Sequence, residues 1–168
     1  MKSLENWSEK TDVTEELKSM NIKVNFDCDP FKEVLATNGK EKTILKFSRP
    51  AFYLVKRGVI EGSLDQGLKE QAFDNGVIIH FGKTVPEEKA DILATGPIIR
   101  ETFAIDKGII FRADCKDMAI GLVHDDAAYK GYSYLLVTKG YGCMCTVLFD
   151  HFKDVHRCFE ATKNMFWK

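Results

Sequence analysis

Apolar residues recur along this chain in two rhythms, and the rhythm changes near residue 97. In the first stretch Val13, Leu17 and Met20 make a narrow helical stripe. Thr11 opens that stripe, with Asp12, Glu15 and Glu16 in the early turn, where the helix dipole favours negative charge. Two runs, 31–37 and 43–48, flank Asn38-Gly39 and predict a hairpin. Arg49-Pro50 ends the second run, because proline cannot donate to a ladder. A buried strand over 52–56 then leads through Arg57-Gly58 to Ser63, where Ser63 and Gln66 form a capping box. Leu64, Leu68, Gln71, Ala72 and Asn75 follow at helical spacing, and Asn75-Gly76 supplies the stop. With a second buried strand over 77–81, this is a βαβ unit of the kind that builds parallel sheets. A third strand, 90–94, ends at Thr95-Gly96-Pro97.

Beyond residue 97 the period becomes two. Runs over 108–113, 118–123, 132–138 and 142–149 are separated by short polar or glycine-containing turns, a spacing that predicts an antiparallel meander. A closing helix over 152–166 puts Phe152, Val155, Phe159, Thr162 and Phe166 on one face, ready to cover the meander. The expected fold is therefore α+β with an α/β remnant. A partial parallel βαβ lobe with an inserted hairpin occupies 1–97, and an antiparallel sheet closed by a C-terminal helix occupies 98–168.

Composition narrows the function. The 168 residues carry 24 Lys+Arg and 25 Asp+Glu, a net charge of −1, spread evenly over both halves. Phosphate binding needs a basic surplus on one face, so nucleic acid is excluded as the main partner. No apolar run approaches the roughly 18 residues of a membrane span, and residues 1–10 lack the apolar core of a signal peptide. A cytoplasmic location follows. Five cysteines without framework spacing fit that compartment. Cys143 and Cys145 fall on one face of any strand that holds them, either as small buried hydrophobes or as reactive thiols near a redox cofactor.

Few residues suggest chemistry. His80 sits inside an apolar run and reads as a satisfied strand histidine, while His151 and His156 are five apart and do not share a helical face for a metal. No metal site is expected. His124-Asp125-Asp126 is either a solvated turn or an acid/base cluster. No serine sits in a nucleophile elbow, and no Gly-rich loop follows a strand with phosphate-binding spacing. Arg57, at the carboxyl end of a strand that opens a βαβ unit, is placed to meet a phosphate or carboxylate. Alternation sends Tyr132, Tyr134 and Leu136 to one sheet face, as the wall of an apolar pocket or as a core face under the last helix.

Several stretches together point further. In order they are Leu54-Val55-Lys56-Arg57-Gly58, Gly62-Ser63-Leu64-Asp65, Gln71-Ala72 with Gly76-Val77, Ala90-Asp91-Ile92-Leu93-Ala94-Thr95-Gly96-Pro97 and Gly131-Tyr132-Ser133-Tyr134. Their order and spacing resemble the middle of the geranylgeranyl reductase-like flavoproteins, within the wider FAD-dependent group that includes p-hydroxybenzoate hydroxylase. The resemblance implies that Arg57 contacts FAD and that Tyr132, Tyr134 and Leu136 line the pocket for flavin and an apolar, isoprenoid-like substrate. Tyr132 is kept from the family's Tyr-x-Trp-x-Phe-Pro motif, whereas Tyr134, Leu136 and Val137 replace the Trp, Phe and Pro. Tyr132 is the nearest candidate for a general acid, and no catalytic residue is assigned.

The family's Gly-rich fingerprint for the FAD pyrophosphate and its later Gly-Asp motif are missing from this sequence. The implied reading is an internal piece of an oxidoreductase: the end of the FAD domain plus much of the substrate domain. Such a piece binds FAD weakly or not at all by itself, since the pyrophosphate needs backbone N–H groups at a glycine turn. Its partners would be an apolar small molecule and the missing remainder of the FAD domain, and faces left uncovered leave room for a homo-oligomer. The competing reading is a stand-alone, non-catalytic binding module for a hydrophobic ligand.

Overall fold

The computed structural model describes residues 2–6, 10–96 and 102–167. In chain order its elements are β1 (Lys2–Glu5), α1 (Val13–Ser19), β2 (Cys28–Phe31), β3 (Glu33–Thr37), β4 (Lys42–Lys46), β5 (Phe52–Val55) and α2 (Leu64–Asp74). After these come β6 (Ile105–Arg112), β7 (Met118–Leu122), β8 (Tyr132–Thr138), β9 (Tyr141–Leu148) and α3 (Val155–Phe166). The class is mixed α+β, and α3 packs on the larger sheet through β9 and β6.

The hairpin around Asn38-Gly39 forms as expected, but it extends further and bends. Beyond β3 and β4 the ladder turns a corner at Lys32 on one side and at residues 47–51 on the other, where Phe47 N–H donates to the Lys32 carbonyl and Ala51 N–H to that of Phe31. The two arms then continue as β2 and β5 in a different sheet. Arg49-Pro50, a break in the sequence pattern, lies in this corner, where a missing N–H costs no ladder bond. One bent hairpin thus contributes two strands to a three-stranded sheet, ordered β1-β5-β2, and two to a six-stranded sheet, ordered β4-β3-β7-β8-β9-β6. Sheet pairing therefore crosses the expected division; Pro97 itself lies outside the described residues.

The local βαβ expectation needs correction. β5 is antiparallel to both of its neighbours, and residues 77–81 and 90–94 form no strand. Ser63 does cap α2, its side chain accepting from Gln66 N–H, and Asn75 and Gly76 end the helix. The helix, however, lies along the extended stretch before β2 rather than on a sheet. The Gln71 side chain bonds both backbone groups of Lys23, and Asn25 donates to the Gly67 carbonyl. The parallel pairing of the fold is found instead between β3 and β7.

The second half follows the period-two pattern closely in its elements and departs in their order. β8 and β9 form a tight hairpin whose two turn residues, Lys139 and Gly140, are both left-handed, as such a turn requires. β6 pairs with β9 rather than with β7, so the sheet is not a simple meander. Paired residues share a face, which gives the six-stranded sheet two distinct sides. One side, with Ser133, Thr146 and Leu148, lies under α3, where Leu148, Val155, Cys158 and Ala128 form a buried cluster. The opposite side carries Ala119 and Leu136, which pack against Phe31, Leu54 and Phe52 of the smaller sheet. No helix among the described residues is long and apolar enough to cross a membrane.

Candidate functional site

β5 ends beneath the β8–β9 turn, and this meeting of the two sheets leaves a cleft of about 480 Å³. Its apolar lining is Leu54, Val55, Ile60, Ile110 and Tyr141. Leu54 and Val55 are fully buried because β5 is the central strand of its sheet. Polar groups converge on the rim as three ion pairs: Lys56 with Asp27, Lys139 with Asp29, and Arg57 with Asp65. The Thr138 hydroxyl lies 3.2 Å from Asp29 and 3.1 Å from Asp117, tying the β8 end to β2. Glu61 also lines the cleft, so with Asp117 the carboxylates at its rim outnumber the cations.

Arg57 lines this cleft, as its place after β5 suggests, but its guanidinium is already engaged. Nε and Nη2 donate to the two oxygens of Asp65 at 2.8 and 3.0 Å, and Gly58 N–H adds a third bond at 2.7 Å. Those bonds hold the Asp65 carboxyl well below the usual range. The sequence hid this pairing because Asp65 is eight positions away and is brought back by the turn of the β5–α2 loop. At the start of α2, Leu64 N–H donates to the Lys56 carbonyl and Gln66 N–H to Ser63. The helix start therefore spends donors on the protein itself. With these donors engaged, the β5–α2 loop does not form a pyrophosphate cradle.

Tyr132, Tyr134 and Leu136 do share one sheet face, together with Cys145 and Cys143, which pair with Tyr134 and Leu136. It is the face opposite α3, so the last helix does not cover the tyrosines. None of the three lines the Arg57 cleft; Leu54 links the two regions, lining the cleft and packing in the cluster with Leu136. Tyr134 is half-buried, and burial followed by its bond to Cys145 pushes the phenol up. Burial likewise raises the Cys145 thiol to about 11, and the thiol donates to Asp106 at 3.7 Å. Cys143 is also raised by burial. Both are neutral, unreactive thiols at pH 7.

The remaining candidates separate. His80 is exposed and not in a strand. His124 sits at the end of β7 with Asp126 Oδ2 4.0 Å away, and Asp125 is exposed, which makes the triplet a turn. His151 stacks on Tyr129, and His156 meets Lys107. Among the described residues no group of three His, Cys, Asp or Glu is arranged to hold a metal ion. Two rings that extend the tyrosine wall, Phe149 beside Tyr132 and Phe103 beside Phe149, are not among the residues the sequence pattern singles out. Alternation carried one step past Val147 puts Phe149 on the tyrosine face; Phe103 precedes β6 and has no such signal. No protein-family profile, curated protein or solved structure matches this chain.

Proposed function

We propose that this chain is the substrate-domain region of a FAD-dependent oxidoreductase resembling geranylgeranyl reductase, with the end of its FAD domain attached. The observation that carries the reading is the exposure of residues 77–94. Val77, Ile78 and Phe81, and after them Ile92 and Leu93, have the composition of buried parallel strands and follow a capped helix, yet Ile78 is 79% and Phe81 72% exposed. Side chains of that kind belong against a neighbouring strand or helix, which the remainder of an FAD domain would supply. In the complete enzyme reduced flavin would deliver hydride to a substrate double bond. This chain's own part is Arg57, offering its open edge to an anionic group of the cofactor, and the Tyr132–Tyr134 wall, which excludes water from an apolar substrate.

The reading frame on both sides of these residues tests this directly. An upstream Gly-x-Gly-x-x-Gly opening a helix and a downstream Gly-Asp are expected, and the full product should purify yellow and release FAD on denaturation. Stop codons at both ends, or a full product that stays colourless in excess FAD, would overturn it. The 480 Å³ cleft favours a second reading, a binding module for a small apolar ligand, which needs no flanking sequence. That reading gains if the 168-residue chain alone takes up an apolar dye at the cleft and Ile110→Asp abolishes uptake.

A further inference from the structure

α3 packs on β9 and β6 and reaches the β7–β3–β4 side of the same face only with its last turn. A cleft of about 550 Å³ opens there, on the opposite face of the sheet from Tyr132 and Tyr134. Leu35, Ile120 and Leu122 form its floor, and Met165 and Phe166 of α3 form one wall. Leu122 is fully buried and the other four are half-buried, so the base of the cleft is apolar.

The other wall is basic. Lys40 and Lys42 come from the β3–β4 hairpin, and His124 from the end of β7. Among the described residues neither lysine side chain has an ion-pair partner, and no carboxylate lines this cleft. The Asp126 N–H donates to His124 Nδ1 at 3.2 Å, so the neutral imidazole carries its proton on Nε2. That edge of the ring lies against Gly39, where a Cβ would come within 3.1 Å of Cδ2. The Asp126 carboxylate is on the Nδ1 side, 4.0 Å away, and it also acts on Arg157 of α3. The carbonyl end of α3 disfavours an anion at the Met165–Phe166 wall, which leaves the lysine wall for a negative group.

The two characters separate along the strands. Leu35 pairs with Ile120 and Thr37 with Leu122, while Lys42 lies opposite Thr37. His124 follows Leu122 by one more step, at the level of the hairpin turn. From Ile120 to His124 is about 13 Å of extended chain. The cleft therefore runs from an aliphatic end at Leu35 and Ile120 to a cationic end at Lys42, Lys40 and His124.

We infer that this cleft binds a small amphipathic anion, an aliphatic chain of about eight carbons carrying one carboxylate. The chain lies on Leu35, Ile120 and Leu122, and the carboxylate meets the two ammonium groups and the His124 Nε2–H. An ammonium head is repelled by the same lysines, and a hydroxyl head leaves them uncompensated. The site is separate from the Arg57 cleft and from the tyrosine wall, so it neither needs nor tests the oxidoreductase reading.

The test is calorimetric titration of the purified chain with octanoate, octanol and octylammonium below their aggregation limits. Octanoate should bind at least about tenfold tighter than octanol, with octylammonium the weakest. Lys40→Gln combined with Lys42→Gln alters two exposed side chains without ion pairs, so folding is not at stake. The pair should bring octanoate to within about threefold of octanol while leaving octanol unchanged. Phe166→Ala should weaken octanoate about fivefold. Ile110→Asp, which disables the Arg57 cleft, should leave octanoate binding as it is. Octanoate that does not bind, or binds no tighter than octanol or octylammonium, would overturn the inference. So would a lysine double variant that keeps the preference for octanoate, a Phe166→Ala variant that binds octanoate as well as the parent, or loss of octanoate binding in Ile110→Asp.

Discussion

Two apolar runs of this chain meet opposite fates. Residues 77–81 and β9 are both rich in hydrophobic side chains, yet in β9 Met144 and Leu148 are completely buried while Ile78 and Phe81 stand in solvent. The difference lies in neighbours rather than in composition. β9 is hydrogen-bonded on both edges, to β8 and β6, and covered by α3 on one face. The earlier run leaves α2 through Gly76 and meets no strand among the described residues. A hydrophobic run says that a segment wants cover; it does not say that the cover is present.

The steepest way to sharpen that contrast is to shorten a side chain at each place. Leu148→Ala removes buried methyl groups from the cluster with Val155 and Cys158 and should cost about 3 kcal/mol. Ile78→Ala should change stability by no more than about 0.5 kcal/mol. Urea midpoints of the two variants measure this, and similar losses would mean that residues 77–81 are packed in solution. Next in size is the polar centre beneath α3. Ser133, Thr146 and Thr162 bond one another there, and the Thr162 hydroxyl also reaches the Ala127 carbonyl at 3.2 Å. Thr162→Val keeps the shape but removes one hydroxyl from the network, leaving Ser133 alone to bond both Thr146 and the Ala127 carbonyl, for a loss of about 1 kcal/mol. Thr162→Ser should recover most of it, and a Val variant as stable as the parent would show the hydroxyls to be dispensable.

The same contrast separates what was legible in the sequence from what was not. Signals confined to a few neighbouring residues carried through. Asn38-Gly39 turns a hairpin, Ser63 caps α2, Asn75-Gly76 stops it, and the two-residue alternation of 132–138 matches β8 residue for residue. Features decided by distant partners did not. Nothing local tells β6 to pair with β9 instead of β7, or Lys32 to bend one hairpin into two sheets. The candidate site divides the same way. That Tyr132, Tyr134 and Leu136 share a face follows from strand geometry, whereas the carboxylate that occupies Arg57 and the rings that extend the tyrosine wall are products of folding.

An effect of similar size is expected at the amino end of α1, a third kind of region that is polar and half-buried. Asp12 caps the helix and accepts from Thr14, Asn6 and Tyr53. Burial works to raise its carboxyl, but those bonds outweigh it and hold the group at about 2, against 3.8 when free. The charged form is thus favoured by the fold. Its contribution is complete above about pH 4 and is lost as pH falls through 2, amounting to about 1 kcal/mol after solvent screening. Asp12→Asn should flatten that part of the acid unfolding curve, and an unchanged slope would remove Asp12 from the cap's energetics.

The smallest change in stability is expected where the surface effect is largest. Ile78→Ser together with Phe81→Ser removes two of the most exposed apolar side chains, so the folded state loses little contact and the thermal midpoint should move by less than about 2 °C. Binding of an apolar-surface dye, in contrast, should fall well below that of the parent chain. If the double variant instead unfolds early, those side chains were buried in solution and the opposition between the two runs disappears. If neither stability nor dye binding changes, the apolar patch lies elsewhere, with Val59, Ile92 and Phe103, each more exposed still, the next places to look. A drop in dye binding at constant stability would show that residues 77–81 present a surface the described fold does not need for itself, which is the property of a segment made to be covered by something else.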